Sequence, residues 1–517
     1  MFSLSLPPSP SFIMSRPIVR VLLLTLSFAA LTRLSAQETA PTPVVPAPPA
    51  APTLTLEECI GRVMEKNFSL RIQGFNSANA KEALVISKAS FDPTFTAVAS
   101  TAHTQGVTSS GAGGSTASTY RQNQTDTRVG ATQRLVTGAD VSLSASVLRS
   151  SNNLPLNTLN PAYNSDVSLA LTQPLLKGAG PKVNRAAIET AQLGITIANL
   201  NYKGSVLQAV RDTEAAYYSL AFARGQLVVK QHSLELAQKL FEENKVRKNT
   251  GVATDLDVLS AEVGVATAQN GVVLAQQVMR NSEDALLALT GQFEFTTPPG
   301  DVAFTPYTDP APSIGESFKL ARELQPTYVA ALSTIKQLEL AVETAKNGSL
   351  PTLNLDGALG FNGENRTSGS SFDTLNTGKN YNWQLDLSLS VPWGLRADRA
   401  RSRTAVNNLH QEQAQLQQIE QNLLVQVRAA VLAVETNIES VQISGKATQL
   451  AEKQYELQKA KFDAGLSTSR EVLQVQTDLE TARVNDLQAR VNLRIAVANL
   501  HQLDGSSLDR YHIALAD

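Results

Sequence analysis

The residues best placed to do chemistry are two acidic side chains in two matching turns. The first turn reads Thr250-Gly251-Val252-Ala253-Thr254-Asp255-Leu256-Asp257-Val258-Leu259, the second Ala464-Gly465-Leu466-Ser467-Thr468-Ser469-Arg470-Glu471-Val472-Leu473. In each, Gly can take the left-handed conformation that ends a helix. Thr254 and Thr468 are placed to N-cap the next helix, with Asp257 and Glu471 three residues on as capping-box partners. The chemistry open to such carboxylates is capping and, where they face water, attraction of cations. Arg470 is either a solvated charge or an ionic partner of Glu471. Nothing else in the chain competes. The five His (His103, His232, His410, His501, His512) are scattered without ligand spacing. A single Cys, Cys59, leaves no internal disulfide and no Cys-based zinc cluster. No nucleophile–base pair, phosphate loop or metal constellation occurs, so neither an enzyme nor a cofactor is expected. The net charge of -2 gives no case for nucleic acid.

The turns must be carried by helices. Lys182–Lys248 and Arg399–Asp463 contain no Pro, and at 1.5 Å per residue each would span roughly 100 Å. In the second, Leu416, Ile419, Leu423, Val427, Val431, Val434, Ile438 and Val441 recur in threes and fours, a coiled-coil seam. The seam is thin, so these helices must pack lengthwise, as a rod or tube. A helix pair at 54–90 aligns without gaps with one at 314–348: Asn67-Phe68-Ser69-Leu70 lies over Gln325-Pro326-Thr327-Tyr328, and Pro93 over Pro351. The chain therefore reads as two repeats. The first covers 54–290, with helices 54–90, strands 93–175, long helix 182–248, tip turn 249–254 and return helix 255–290. A linker follows at 291–313. The second covers 314–505, with helices 314–348, strands 351–391, long helix 399–463, tip turn 464–468 and return helix 469–504. A tail closes the chain at 506–517.

The N-terminus reads as an address. Arg16 and Arg20 precede an apolar run, Val21 to Leu31, and Leu34-Ser35-Ala36 offers a cleavage site, which predicts a signal peptide over 1–36. Met14 is an alternative start to Met1. Residues 37–53 form a Pro/Ala-rich tether. No Cys follows the cleavage site, so no lipid anchor is expected there. No later stretch approaches 18 apolar residues, so no transmembrane helix is expected.

The strands point to a membrane all the same. Trp383, Leu385, Leu387, Leu389 and Val391 alternate with Asn382, Gln384, Asp386, Ser388 and Ser390. Leu353–Phe361, Val141–Val147 and Val167–Leu171 behave likewise, and weaker strands lie at Thr94–His103 and Asp126–Leu135. Segments of about 10 residues suit tilted transmembrane strands. Thr137-Gly138-Ala139-Asp140 reads as a short inner turn; 105–125, 151–164 and 364–380 read as long outer loops. A soluble sheet with one wet face would alternate too, but the signal peptide weighs against it. The rival for the whole chain, a structural coiled-coil protein of the envelope, explains the rods and not the strands.

From about Leu54 to Asp504 the chain resembles the TolC-type outer-membrane efflux family (outer membrane factors). The resemblance rests on Leu54-Thr55-Leu56-Glu57-Glu58, on Pro93, Pro174, Pro351 and Pro392 where helices pass into strands and back, on Gln173-Pro174-Leu175-Leu176, and on both Gly-x-x-Thr-x-x-acidic-Val-Leu turns. It implies a mixed α and β fold, internally duplicated, whose long antiparallel coiled-coil helices form a trimeric periplasmic tunnel while 4–6 strands per chain join one transmembrane β-barrel. It further implies outer-membrane lipid as surroundings, and an exit duct for small molecules or protein that works with a periplasmic adaptor and an inner-membrane transporter. Gly251, Val252, Thr254, Gly465, Leu466 and Thr468 would then form adaptor-binding tips, and Asp257, Glu471 and Arg470 a periplasmic gate. Three departures stand out. Six strands are expected where relatives usually contribute four, so the barrel is wider or the extra hairpin folds over the rim. The lipidated Cys of many relatives is missing. Some relatives place two acidic residues at the inner mouth, and here the position three beyond Glu471 is Gln474.

Overall fold

The computed structural model describes residues 54–108, 118–153, 159–292, 300–302, 304–308 and 310–515. The expected signal peptide and tether lie outside the described residues. The compact unit is Ala51–Asp517.

The element order runs twice through helix pair, strands, long helix and return helix. The first pass holds α1 (Leu56–Lys66), α2 (Phe68–Ala89), β1 (Thr94–Thr108), β2 (Ser118–Arg134), β3 (Asp140–Asn152), β4 (Ala162–Pro174), α3 (Pro181–Asn249) and α4 (Asp255–Leu289). The second holds α5 (Ile314–Leu324), α6 (Pro326–Gly348), β5 (Thr352–Asn365), α7 (Ser368–Asn376), β6 (Tyr381–Ser390), α8 (Arg396–Asp463) and α9 (Ser469–Asp504), followed by the short α10 (Ser507–Arg510). Thr55 opens α1 with a capping box closed by Glu58. Asn67 caps α2, its side chain accepting from the Ser69 and Leu70 amides.

α4 packs back along α3 and α9 along α8, with α3 against α9; α6 lies beside both long helices. The seam of α8 is buried where Leu423, Val427, Val431 and Val434 meet Leu493, Ala496, Val497 and Leu500 of α9 and Ala321 of α5. A second cluster joins Ile60, Val63 and Leu70 to Val206, Leu207 and Val210 of α3. Cys59, buried beside Tyr217, Tyr218 and Leu286, packs as a small apolar group; burial pushes its thiol up to about 11.

The six strands form one antiparallel sheet in chain order, β1 to β6. The β1–β2 hairpin is hydrogen-bonded to β3 over Gln122–Arg134, so it lies in the sheet. Directly opposed residues share a face. One row runs Phe95–Ala131–Leu143–Leu169–Leu359–Trp383 across all six strands. The next runs Ala97–Val129–Ala145–Val167–Phe361–Tyr381. The opposite face is polar: Ser144–Ser168–Gly360–Asn382 and Thr172–Asp356–Asp386 lie across it.

Three expectations need correcting. The strands β1 to β5 run 13 to 17 residues rather than about 10. Alternation marks only their apolar-faced parts, and polar extensions such as Arg121–Thr125 pair just as well through the backbone. The outer segment 364–380 is not all loop. It holds α7, N-capped by Thr367 and packed on the apolar face, where Ser371 and Ser165 bond, both fully buried. A Cβ on Gly363 would sit 2.1 Å from the Ser371 carbonyl oxygen, so Gly admits the helix. Last, α4 is long and apolar enough to cross a membrane by length and composition. Counting unbroken apolar runs misses it, because single polar residues interrupt its Ala, Val and Leu.

Candidate functional site

The two turns end their long helices in the same way. Gly251 and Gly465 take φ values of 76° and 77°. Val252 N donates to Arg247 O at 2.8 Å and Gly251 N to Lys248 O at 2.9 Å. Leu466 N donates to Lys461 O at 2.9 Å and Gly465 N to Phe462 O at 3.0 Å. This paired closure satisfies the last carbonyls and usually comes with an apolar contact from the residue after the Gly. Here those residues are turned outward: Val252 is 72% exposed and Leu466 80%.

The return helices start differently. Thr254 Oγ1 accepts from Asp257 N at 3.2 Å, and Asp257 Oδ2 accepts from Thr254 N at 2.9 Å and from Thr254 Oγ1 at 2.6 Å. These bonds, the hydroxyl's first, hold the Asp257 carboxyl below its ordinary value. Thr468 Oγ1 accepts from Glu471 N at 3.4 Å, but the Glu471 carboxylate does not complete a box. It accepts from Ser467 Oγ at 2.7 Å and Gln458 Nε2 at 2.9 Å. The longer Glu side chain reaches across to α8 where the shorter Asp stays on its own turn. Ser467 is the main reason that its carboxyl also lies below its ordinary value. Arg470 is exposed.

The contacts that tie the two tips together join residues far apart in the chain, and no local pattern marks them. Arg247 Nη2 donates to Phe462 O at 2.7 Å, and its guanidinium lies 4.0 Å from the centre of the Phe462 ring. Lys459 Nζ reaches Glu243 at 2.5 Å and Asp463 at 2.8 Å. Asn244, buried, donates to Ser469 Oγ at 2.8 Å. Under these bonds sits a small apolar cluster of Leu240, Phe462 and Val472. Higher up, Lys230 pairs with Glu480.

At the other end of the helices, Pro93 directly precedes β1, Pro174 is the last residue of β4, Pro351 directly precedes β5 and Pro392 is the second residue after β6. Leu175 N still donates to Leu353 O at 2.8 Å, so pairing runs past Pro174. After Pro392 the chain turns through Gly394 and Leu395, both at positive φ, and leaves Trp393 fully exposed.

Among the described residues no group of three or more His, Cys, Asp or Glu could hold a metal. What the geometry offers is a polar-faced sheet with an apolar back, continued by helices that end in two bonded tips. The family model for outer membrane efflux proteins matches residues 134–292 and 318–506, more than half of the chain.

The chain belongs to the outer membrane efflux protein family.

This efflux protein is 22% identical over 367 residues to the outer membrane protein TolC of Escherichia coli, covering 66% of this chain and 70% of that one. To TolC of Vibrio cholerae it is 23% identical over 322 residues, 62% of this chain and 73% of that one. Its fold is that of the outer-membrane channel OprN, with TM-score 0.65, 16% identity and coverage of 87% and 89% of the two chains. It is likewise similar to the CmeC outer membrane channel of Campylobacter jejuni, with TM-score 0.63, 16% identity and coverage of 92% and 94%. The family places the protein in the outer membrane of a Gram-negative-type cell, as an efflux channel with a large periplasmic helical part and not an enzyme. The rival reading, a structural envelope protein without transport, is set aside.

Proposed function

We propose that three copies of this efflux protein join into one barrel and one helical tunnel, the exit duct of a tripartite efflux or type I secretion assembly. Signal peptide 1–36 and tether 37–53 precede two repeats, 54–290 and 314–505, whose tips meet a periplasmic adaptor carrying the inner-membrane transporter. The adaptor docks on Gly251, Val252, Thr254, Gly465, Leu466 and Thr468. Asp257 and Glu471, with Arg470 beside them, ring the inner mouth and close it.

One observation carries this reading. Two helix ends, tied to each other by Arg247 and Phe462, each present an outward apolar side chain, Val252 and Leu466, above a glycine with no Cβ to obstruct a partner. Surface apolar groups displayed in pairs on a backbone of fixed geometry suit helix-hairpin docking. The test places a photo-crosslinking side chain at Val252 and at Leu466 in cells. Capture of a periplasmic adaptor is expected. Replacing Gly465 by Arg and Leu466 by Glu is expected to abolish efflux with trimer and surface level intact. If the trimer itself is lost, the turn is only structural.

A further inference from the structure

Each outer strand of the sheet, β1 and β6, is hydrogen-bonded on one side only among the described residues. All ten residues of β6 are exposed. Inside the hydrocarbon of an outer membrane, an open edge of N–H and C=O groups is not tolerated. A six-stranded sheet cannot remove its edges by closing on itself, because the smallest membrane barrels need eight strands. The edges therefore meet those of other copies. Five antiparallel steps leave β1 and β6 antiparallel to each other, so a β6-to-β1 join continues the alternation unbroken.

We propose that β1 of one copy pairs with β6 of the next in one register, with Phe95 opposite Leu389, Ala97 opposite Leu387 and Ala99 opposite Leu385, and that the extra hairpin thereby makes this an eighteen-stranded barrel. The count is three copies of the six-stranded sheet and rests on the three-copy assembly proposed above.

Four facts choose the register. First, Phe95, Ala97 and Ala99 lie on the same apolar face as Trp383, Leu385, Leu387 and Leu389, and a one-residue slip would turn one set into the lumen. Second, the internal duplication puts Thr94 over Thr352, and within the chain Thr352 already stands opposite Ser390. The proposed join sets Thr94 opposite Ser390 from the other side, so β6 is flanked alike on both edges. Third, the row through Phe95 reaches β6 at Trp383, six residues from Leu389. A stagger of six residues over six strands, at about 3.4 Å per residue and about 4.8 Å per strand, tilts the strands by about 35°, within the range of membrane barrels. A join two residues lower, Phe95 on Leu387, gives only about 25°. Fourth, a join two residues the other way sets Phe95 against Val391 and Thr94 against Pro392, both beyond Ser390, the last residue of β6. In the proposed register the ladder ends with Thr94 on Ser390, where β1 itself begins and β6 ends.

The consequence is width. At that tilt, eighteen strands enclose a backbone cylinder of about 35 Å, against about 23 Å for twelve. A twelve-stranded barrel would require β1 and β2 to leave β3, breaking a ladder that runs from Gln122 to Arg134.

The experiment uses the full-length protein in outer membranes. Paired substitutions are oxidised and run on non-reducing gels, and the assembly is weighed by native mass spectrometry. Directly opposed Cβ atoms lie about 5 Å apart and diagonal ones about 7–8 Å, too far for a disulfide. Cys59 is buried and does not compete. Ala97→Cys with Leu387→Cys is expected to yield covalent trimers. Ala97→Cys with Leu385→Cys, or with Leu389→Cys, is expected to yield little. Linking of Leu387→Cys to Leu143→Cys on β3, rather than to β1, overturns the eighteen-strand closure. A trimer by mass with no β1–β6 link at any of these pairs overturns the join and leaves the three-copy reading standing. A link in an assembly of another copy number overturns the count and the reading it rests on.

Discussion

Arg247 grips Phe462 from two directions, donating to its carbonyl at 2.7 Å and lying 4.0 Å from its ring centre. The residues are 215 positions apart, one near the end of each long helix, so this side chain helps to couple the two helix ends that the proposed gate would have to part on opening. A charged hydrogen bond is worth about 1.5–3 kcal/mol when partly buried. Arg247→Ala is therefore expected to loosen the joint while leaving the barrel untouched. Single-channel recording in planar bilayers should show higher conductance or more frequent opening than the parent. Unchanged conductance would mean that the tips open without parting these two residues.

The sheet predicts a one-residue contrast. Leu387 shares the apolar face with Leu355 opposite it, and Ser388 faces Asn354 on the polar side. Leu387→Arg should cost about 2–4 kcal/mol if it sits near the bilayer midplane, whereas Ser388→Arg faces water and should be tolerated. The amount of heat-modifiable trimer in outer membranes reads this out, and equal tolerance of both would argue against the assigned faces.

Ion selectivity separates capping from a pore role. In the proposed ring of three copies, Asp257 and Glu471 would attract cations. Glu471→Gln should lower cation over anion preference, and Asp257→Ala with Glu471→Ala should raise conductance. Capping alone predicts instead a loss of about 1 kcal/mol of helix stability for a cap, with selectivity unchanged. Glu471→Gln channels that insert normally with the parent's selectivity would remove Glu471 from the pore.

Acid should weaken the tips. Asp257 and Glu471 are both held below their ordinary values in the folded chain. Their bonds therefore stabilise fully above the unfolded carboxylate value, about pH 4, and are lost as pH falls through the lower folded values. Protection of the amides in the first turn of α4, taken relative to the intrinsic exchange rate at each pH, should fall below about pH 4 in the parent. Asp257→Asn should show fast exchange there already at neutral pH. Buried Glu214, which accepts from Tyr511, behaves oppositely: burial raises its value, so its charged form is the disfavoured one as pH rises.

Local chemistry was legible from the residues alone. The glycines, the threonine caps and the long Pro-free runs each act within a few positions, so the helices, turns and strand alternation could be read off. Asn67 shows the boundary. It was readable as an interruption, but that its side chain caps α2 while its Nδ2 donates to Leu289 O at 3.0 Å depends on a helix 222 residues away. α7 shows it again. A Gly/Ser/Asn-rich stretch has little helix preference, and what holds it is Ser371 bonded to Ser165 across 206 residues.

The sequence by itself determined which faces are apolar, where helices end and that two similar halves follow each other, because those depend on spacing along one segment. Only the tertiary structure decided that the extra hairpin lies in the sheet, that six apolar faces line up as continuous rows, and that Glu471 reaches Gln458 rather than its own cap. Register between distant strands and the meeting of Arg247 with Phe462 depend on how separate segments dock, and no local period carries that information.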